Sequence, residues 1–481
     1  MILKDYMNKY LKNSLILGVI IALYLFIRCI NLTTLPVFGD EAIYLRWSQI
    51  IKSVDTLRFI PQTDGKQPLF MWLTAINLKF FEPLIAGRLI SVFSGAGIII
   101  VLYLLSQSFL PSLIYLFFSF TFFFDRLATA DTLLSFFGIL SLYLSISLAK
   151  KPRLDLSLIL GVVLGLAWLS KSPAVYFIVL SLFTFIVYHP KNYQKLYFPI
   201  ISALIAFIIY NILRLGPQFA QIAIRNRDYI WPLSEILRHP LDPLIPHLKD
   251  VVNLSFYYIS LPLLLSPILY LFFSKKIKID RSFLIYFAWC FLPLVANAAM
   301  AKVFTARYFL YVLPSFILIL SYFLKPLFTK KYLVILLILF IPNLWRIYQI
   351  SFNPQNLKLP STETGYVSGW TSGWGIKESA DYLISRSKEA NVIVGTEGYF
   401  GTLPDGLQIY TNQIPQLTVF GVGIDISEIP AKLIEAKNHG DEVYLLFNSS
   451  RLKLSSMDVG KLTLIKSIVK PDGDHLVLYR L

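Results

Sequence analysis

Asp40 and Glu41 stand side by side in the stretch PVFGDEAIYLRW, about ten residues beyond a long apolar run. A carboxylate so placed can take a proton from an attacking hydroxyl or amine, which is general-base work. A second group of residues supplies the opposite charge. Arg28, Arg88 and Arg307, with the acidic Asp131, sit at one end of apolar runs, and Lys66, Arg126, Lys171, Arg225, Arg227 and Lys302 lie in loops on the same side. Several such cations around one phosphate would stabilise negative charge building on it as a leaving group, Arg through its planar donor fork and Lys as a compact charge.

Those residues are carried by elements written in a lipid-facing composition. Hydrophobic residues make up 56% of the 481, aromatics 15%, and the mean hydropathy is +0.63, which describes a polytopic membrane protein. Apolar runs near residues 14–30, 84–107, 109–124, 131–149, 155–170, 173–188, 197–214, 253–273, 282–299, 307–324 and 332–349 read as eleven spans, none with an ionisable residue near its middle. The net charge of +16 is spread through short loops, so membrane topology and phosphate binding explain it better than nucleic acid does. Cys29 and Cys290 both lie in apolar runs, which excludes a disulfide scaffold and a thiolate metal cluster.

Alternate loops carry Lys150, Lys151 and Arg153, then Lys191 and Lys195, then Lys275 to Arg281, then Lys325 to Lys331. By the positive-inside rule these are cytoplasmic, and an odd span count puts the carboxylates, the 215–252 loop and everything after residue 350 on the other face. The expected organisation is a membrane domain over 1–350, with a first outer loop at 31–83, and a small water-soluble α/β domain over 351–481. In the loop, Ile43, Trp47, Ile50, Ile51 and Val54 recur at helical spacing and are expected to lie on the membrane surface. In the tail, NVIVGTEG, EVYLLFNSS and HLVLYRL read as strands and 376–389 and 427–438 as helices.

The ordered set FGDEAIYLRW, DGKQPLFMWL, AGRLISVFSG, DRLATADTLLSFFGILSLYL, GLAWLSKSPAVYF and TARYFLYVLP resembles the GT-C glycosyltransferases. It is most similar to the protein O-mannosyltransferases and bacterial aminoarabinose transferases, over most of residues 1–350. The resemblance implies a mainly α membrane enzyme of the cell envelope that moves a sugar, with inversion, from a polyprenyl-phosphate donor to a protein, lipid or glycan acceptor on the extracytoplasmic face. It places Asp40 at the family's catalytic acidic position and Glu41 at its acidic neighbour. Lys66 matches the lysine of the element that contacts the donor phosphate, and Arg88, Arg126, Asp131 and Arg307 fall in matching segments as substrate-binding candidates. The family usually has an acidic residue directly before that lysine, serving a metal site. Here Gly65 stands there and Asp64 one place further back. A divalent cation, if one is used, would draw on Asp40, Glu41 and Asp64.

Each residue also has a plainer reading. Asp40 and Asp131 could cap the helices they open, although a cap leaves Glu41 unexplained and the reciprocal capping box is missing because position 43 is Ile. Arg88, Arg126 and Arg307 could be snorkelling residues, Lys171 a span boundary, and GTEGYFG and SGWTSGWG simple turns. The rival class is a transporter or flippase for a polyprenyl-phosphate lipid or glycan, whose inverted repeats and interrupted spans are not evident. A cysteine placed at an exposed tail position is expected to react with a membrane-impermeant maleimide on intact cells. Labelling that requires breaching the membrane would reverse the topology.

Overall fold

The computed structural model describes residues 2–59, 65–190, 193–273, 279–329 and 331–481. The chain divides into two compact units, one of residues 1–30, 56–70 and 88–348, the other of 31–55, 71–87 and 349–481.

Among the described residues, seven helices are long and apolar enough to cross a membrane: Leu11–Cys29, Pro83–Ser106, Ala130–Lys150, Gln194–Leu215, Arg281–Met300, Ala306–Leu327 and Leu333–Phe352. Leu154–Ser170 and Ser172–Tyr188 are shorter apolar helices. Helix packing in the first unit follows membrane rules, in which small residues let backbones approach and hydroxyls bond across. On Leu154–Ser170, a Cβ at Gly161 or Gly165 would come within 2.7 Å of Ile205 or Ile209 of the helix Tyr197–Tyr210. One turn earlier on the same face, the Ser157 carbonyl accepts from Ser202 Oγ at 2.8 Å.

Two runs expected as single spans are interrupted helices. The run at 109–124 breaks at the extended Phe118, between Leu110–Phe117 and Ser119–Phe124. That at 253–273 breaks around Ser260, at φ 73°, before Leu261–Leu264 and Ser266–Phe273. Breaks of this kind persist in a bilayer where protein groups satisfy the freed backbone. Asn343 does so for both. Its Oδ1 accepts from Ser119 N–H and Oγ, each at 3.0 Å, and its Nδ2 reaches the backbone carbonyl of Ile259 at 3.5 Å and Ser260 Oγ at 3.3 Å.

The second unit contains a five-stranded sheet of order β2-β1-β3-β5-β4, with β1 Val392–Glu397, β2 Leu417–Gly423, β3 Glu442–Asn448, β4 Thr463–Val469 and β5 His475–Arg480. β1, β2 and β3 are parallel and β5 runs antiparallel to β3 and β4. The continuous apolar run Val443 to Phe447 buries β3 on both faces, as a central parallel strand requires. The helix Gly39–Ser53 belongs to this unit, and here the sequence expectation fails. Ile43, Trp47 and Ile51 are buried in protein at 6%, 6% and 3% exposure rather than lying on a membrane, while Ile50 is half-buried and Val54 exposed. An amphipathic stripe specifies an apolar neighbour without saying which, and the neighbour is the tail: Gln49 Nε2 donates to Ile409 O at 2.8 Å and Arg46 to Asn412 Oδ1 at 2.9 Å.

Glu442 anchors the start of β3. It accepts from Arg386 through both carboxylate oxygens and from Tyr444 Oη at 2.8 Å, and these bonds hold its carboxyl at about 2, well below the ordinary glutamate value. A depressed folded-state pKa gives stability that is present above the unfolded value and lost as pH falls through the folded one. The melting-temperature gap between wild type and Glu442→Gln is therefore expected to narrow as pH falls from about 5 towards 2. A gap that does not change with pH would show that the carboxylate charge contributes nothing.

Candidate active site

Phe38 is extended, at φ −91° and ψ 152°, and the helix begins at Gly39, so Asp40 is not the capping residue but lies in the first turn. A carboxylate there is favoured by the positive end of the helix dipole. Glu41 is fully buried, and its Oε2 accepts the Phe38 N–H at 2.9 Å. That is the returning half of a capping box, with the acid at the third helical position. The bond supplies the explanation that the cap reading lacked: Glu41 fixes the entry to the turn that carries Asp40.

In the first unit, Lys66 is half-buried between two tightly constrained neighbours. Gly65 has φ +66°, and a Cβ there would come within 2.8 Å of Arg225 Cβ and 2.9 Å of Gln221 O. Gln67 donates to Ser172 Oγ at 2.6 Å. Position 65 therefore has neither the conformation nor the space for the acidic residue expected before a metal-serving lysine. Asp64 lies outside the described residues. Among the described residues, no group of three or more His, Cys, Asp or Glu side chains gathers as a metal site. Directly before Lys66 the chain therefore offers no metal ligand.

Arg28, Arg88 and Arg126 are all fully buried. Arg28 and Arg126 share the Phe122 ring, with their guanidinium carbons 4.8 and 4.9 Å from its centroid. Arg126 donates to Ile30 O at 2.7 Å, and burial together with the nearby charges of Arg88 and Arg28 pushes its pKa down from the ordinary arginine value. Like charges held together in a dry place make a strong anion site. The turn that carries Arg126 is tied to the helix Pro83–Ser106, which carries Arg88 and whose Ser91 Oγ donates to Leu127 O at 2.6 Å and lies 3.3 Å from Thr129 O.

Asp131 likewise is not a cap. The cap position of Ala130–Lys150 is Thr129, and Asp131 Oδ1 is 2.5 Å from Lys171 Nζ. Lys171 does stand at the boundary between Leu154–Ser170 and Ser172–Tyr188, and it is also an ion-pair partner. Its Nζ lies 5.3 Å from the Tyr308 ring centroid, and Arg307, in the 3-10 helix Ala306–Val312, holds its guanidinium carbon 5.6 Å from the same ring. The structure therefore brings together Arg88 with Arg126, and Asp131 with Arg307. Sequence reasoning passed over Asp125, Tyr24 and Tyr115, and it placed Lys171 at a span boundary without its pairing to Asp131. The signals available were the i, i+4 spacing of Tyr24 and Arg28 and the acid directly before Arg126.

Residues 65–213 match the family model described as dolichyl-phosphate-mannose-protein mannosyltransferase. No curated protein matches the sequence significantly. Among solved structures, the chain is similar to ArnT from Cupriavidus metallidurans in the apo state, with TM-score 0.58 and 14% identity over 98% of both chains. The same protein bound to undecaprenyl phosphate gives TM-score 0.57 and 13% identity over 96% of this chain and 97% of that one. The archaeal oligosaccharyltransferase AglB from Archaeoglobus fulgidus, in complex with an inhibitory peptide and a dolichol-phosphate, gives TM-score 0.51 and 11% identity over 92% of this chain and 70% of that one. The chain is a multi-pass membrane protein of the GT-C fold, as the ordered motifs implied.

Removing Lys171 would strand the Asp131 carboxylate, whose side chain is 4% exposed. Breaking a buried pair by deleting one partner costs about 3–5 kcal/mol, and the partial exposure of Lys171 puts this pair at the lower end or below. Lys171→Met is expected to lower the melting temperature and Lys171→Met/Asp131→Asn to recover most of the loss. An unchanged melt for the single variant would show that the pair is energetically silent.

Proposed function

We propose that the chain is an integral membrane glycosyltransferase that moves a sugar from a polyprenyl-phosphate donor to an acceptor on the extracytoplasmic face, with inversion at the sugar carbon. The observation that carries this reading is a coincidence of position. The segment matching the mannosyltransferase model, 65–213, is the one that holds Lys66, Arg88, Arg126, Asp131 and Lys171. Two similar structures hold undecaprenyl phosphate and dolichol-phosphate, which supports a phosphate-bearing lipid as the ligand of this chain.

The roles follow from charge. Asp40 takes the proton of the acceptor hydroxyl or amine as it attacks the sugar carbon, and the bond from that carbon to the lipid phosphate oxygen breaks with its electrons going to the phosphate. Lys66, Arg88, Arg126 and Arg307 bind that phosphate and stabilise the charge it gains, an electrostatic contribution that grows where water is excluded. Glu41 holds the first turn of the Asp40 helix through the Phe38 N–H. Asp131 holds Lys171 and so shapes the surroundings of Tyr308 and Arg307. The tail, in the same unit as the Asp40 helix, influences acceptor choice.

Asp40→Asn separates chemistry from architecture, because the amide keeps the size of the side chain and loses its charge and most of its basicity. Transfer is expected to fall by about a hundred-fold or more, the usual contribution of positioned proton transfer, while stabilisation by undecaprenyl phosphate persists. Near-normal turnover by a variant with wild-type thermal stability would remove Asp40 from the mechanism.

A further inference from the structure

Arg28 and Asp125 form a fully buried ion pair, Nε to Oδ2 at 3.4 Å, that the proposed chemistry does not use. Its surroundings are built. Tyr24 Oη donates to Asp125 Oδ2 at 2.8 Å and Tyr115 Oη to Oδ1 at 2.9 Å, so both carboxylate oxygens are engaged. The guanidinium of Arg28 also donates to Leu116 O at 2.9 Å, to Tyr115 O at 3.2 Å and to Thr121 Oγ1 at 3.2 Å. Space for the cluster is reserved by Gly95, where a Cβ would fall 1.9 Å from Tyr24 Oη and 3.0 Å from Asp125 Oδ2. A buried pair is rarely a net source of stability compared with apolar packing, and its better-attested use is to specify an arrangement.

The arrangement it specifies ends at Arg126. Asp125 is the preceding residue in the chain, the Arg28 and Arg126 guanidinium carbons lie 4.8 and 4.9 Å from the same Phe122 ring centroid, and Arg126 bonds Ile30 O, two residues past Arg28. We propose that Asp125 is a positioning residue for phosphate recognition: by fixing Arg28 and the two tyrosine hydroxyls, it sets the place and angle at which Arg126 meets the phosphate of the lipid donor. The inference rests on the proposed function and adds to it a residue that never touches substrate. Without the carboxylate, the Arg28 charge would push on nearby Arg126 uncompensated, and the 125–126 turn would lose its tether.

The test compares undecaprenyl phosphate with undecaprenol, which lacks the phosphate, as ligands of the full-length protein in nanodiscs. Wild type is expected to bind the phosphate form more tightly. In Asp125→Asn that preference should shrink about ten-fold or more, the size of one lost charge-assisted contact, with undecaprenol affinity unchanged. A loss of structure alone would weaken both ligands together. Tyr115→Phe and Tyr24→Phe, each deleting one hydroxyl donor and keeping the ring, should shift the preference in the same direction by less, and they decide the matter if Asp125→Asn does not fold. Retention of the wild-type preference in a folded Asp125→Asn, or in both tyrosine variants, overturns the positioning role. A wild-type protein with no preference for the phosphate form would overturn the proposed function itself, and this inference with it.

Discussion

A guanidinium keeps its charge under any biological condition, so taking one out of water commits the protein to answering that charge with fixed groups. Arg28, Arg88 and Arg126 are all fully buried, and much of the first unit can be read as the consequence. Arg28 needs a carboxylate, two carbonyls and a threonine hydroxyl, drawn from the 115–125 segment. Arg126 takes the carbonyl of Ile30 at the end of the first helix. Both use the face of Phe122. Satisfying the charges thus joins the end of the first helix to the broken helix pair and to the turn that follows it.

That turn, from Asp125 to Asp131, is where the demands converge. Its first residue binds Arg28, its second is Arg126, its middle carbonyls accept from Ser91, and its last residue pairs with Lys171. Lys171 and Arg307 then share the ring of Tyr308, so a residue far along the chain is drawn to the same assembly through one aromatic side chain. A segment this short and this heavily bonded has little freedom to rearrange. On the proposed function, phosphate recognition benefits, since cations held in place before the ligand arrives need no reorganisation as charge develops.

Membrane character, the order of the motifs and the α/β tail were legible in the sequence because each is written locally, in apolar run length, residue spacing and alternation. Relations between distant residues were not. Asp131 and Lys171 carry no mark that they pair, and the stripe of Ile43, Trp47 and Ile51 announces an apolar neighbour without naming it. The broken helices escaped for a related reason: a bilayer-length apolar run predicts a continuous helix unless a partner elsewhere, here Asn343, supplies what the break costs. In the tail, β2 and β4 were missed. The run LTVFGVG carries two glycines, which weaken a strand pattern, and TLIKSIV alternates on an exposed edge where no burial enforces its register.

Gly65 shows how one small residue can redirect the chemistry of a site. Its positive φ and the close approach of the Arg225 stem and the Gln221 carbonyl are both incompatible with a carboxylate-bearing side chain at that position. A chain that places an acid there can recruit a metal beside the phosphate-binding lysine and let the metal carry part of the leaving-group charge. This chain has instead brought an arginine stem into the space that such an acid would need, which adds a cation where the other arrangement has an anion. On the proposed function, the charge of the departing phosphate is met by guanidinium and ammonium groups, such as the buried arginines around the 125–131 turn.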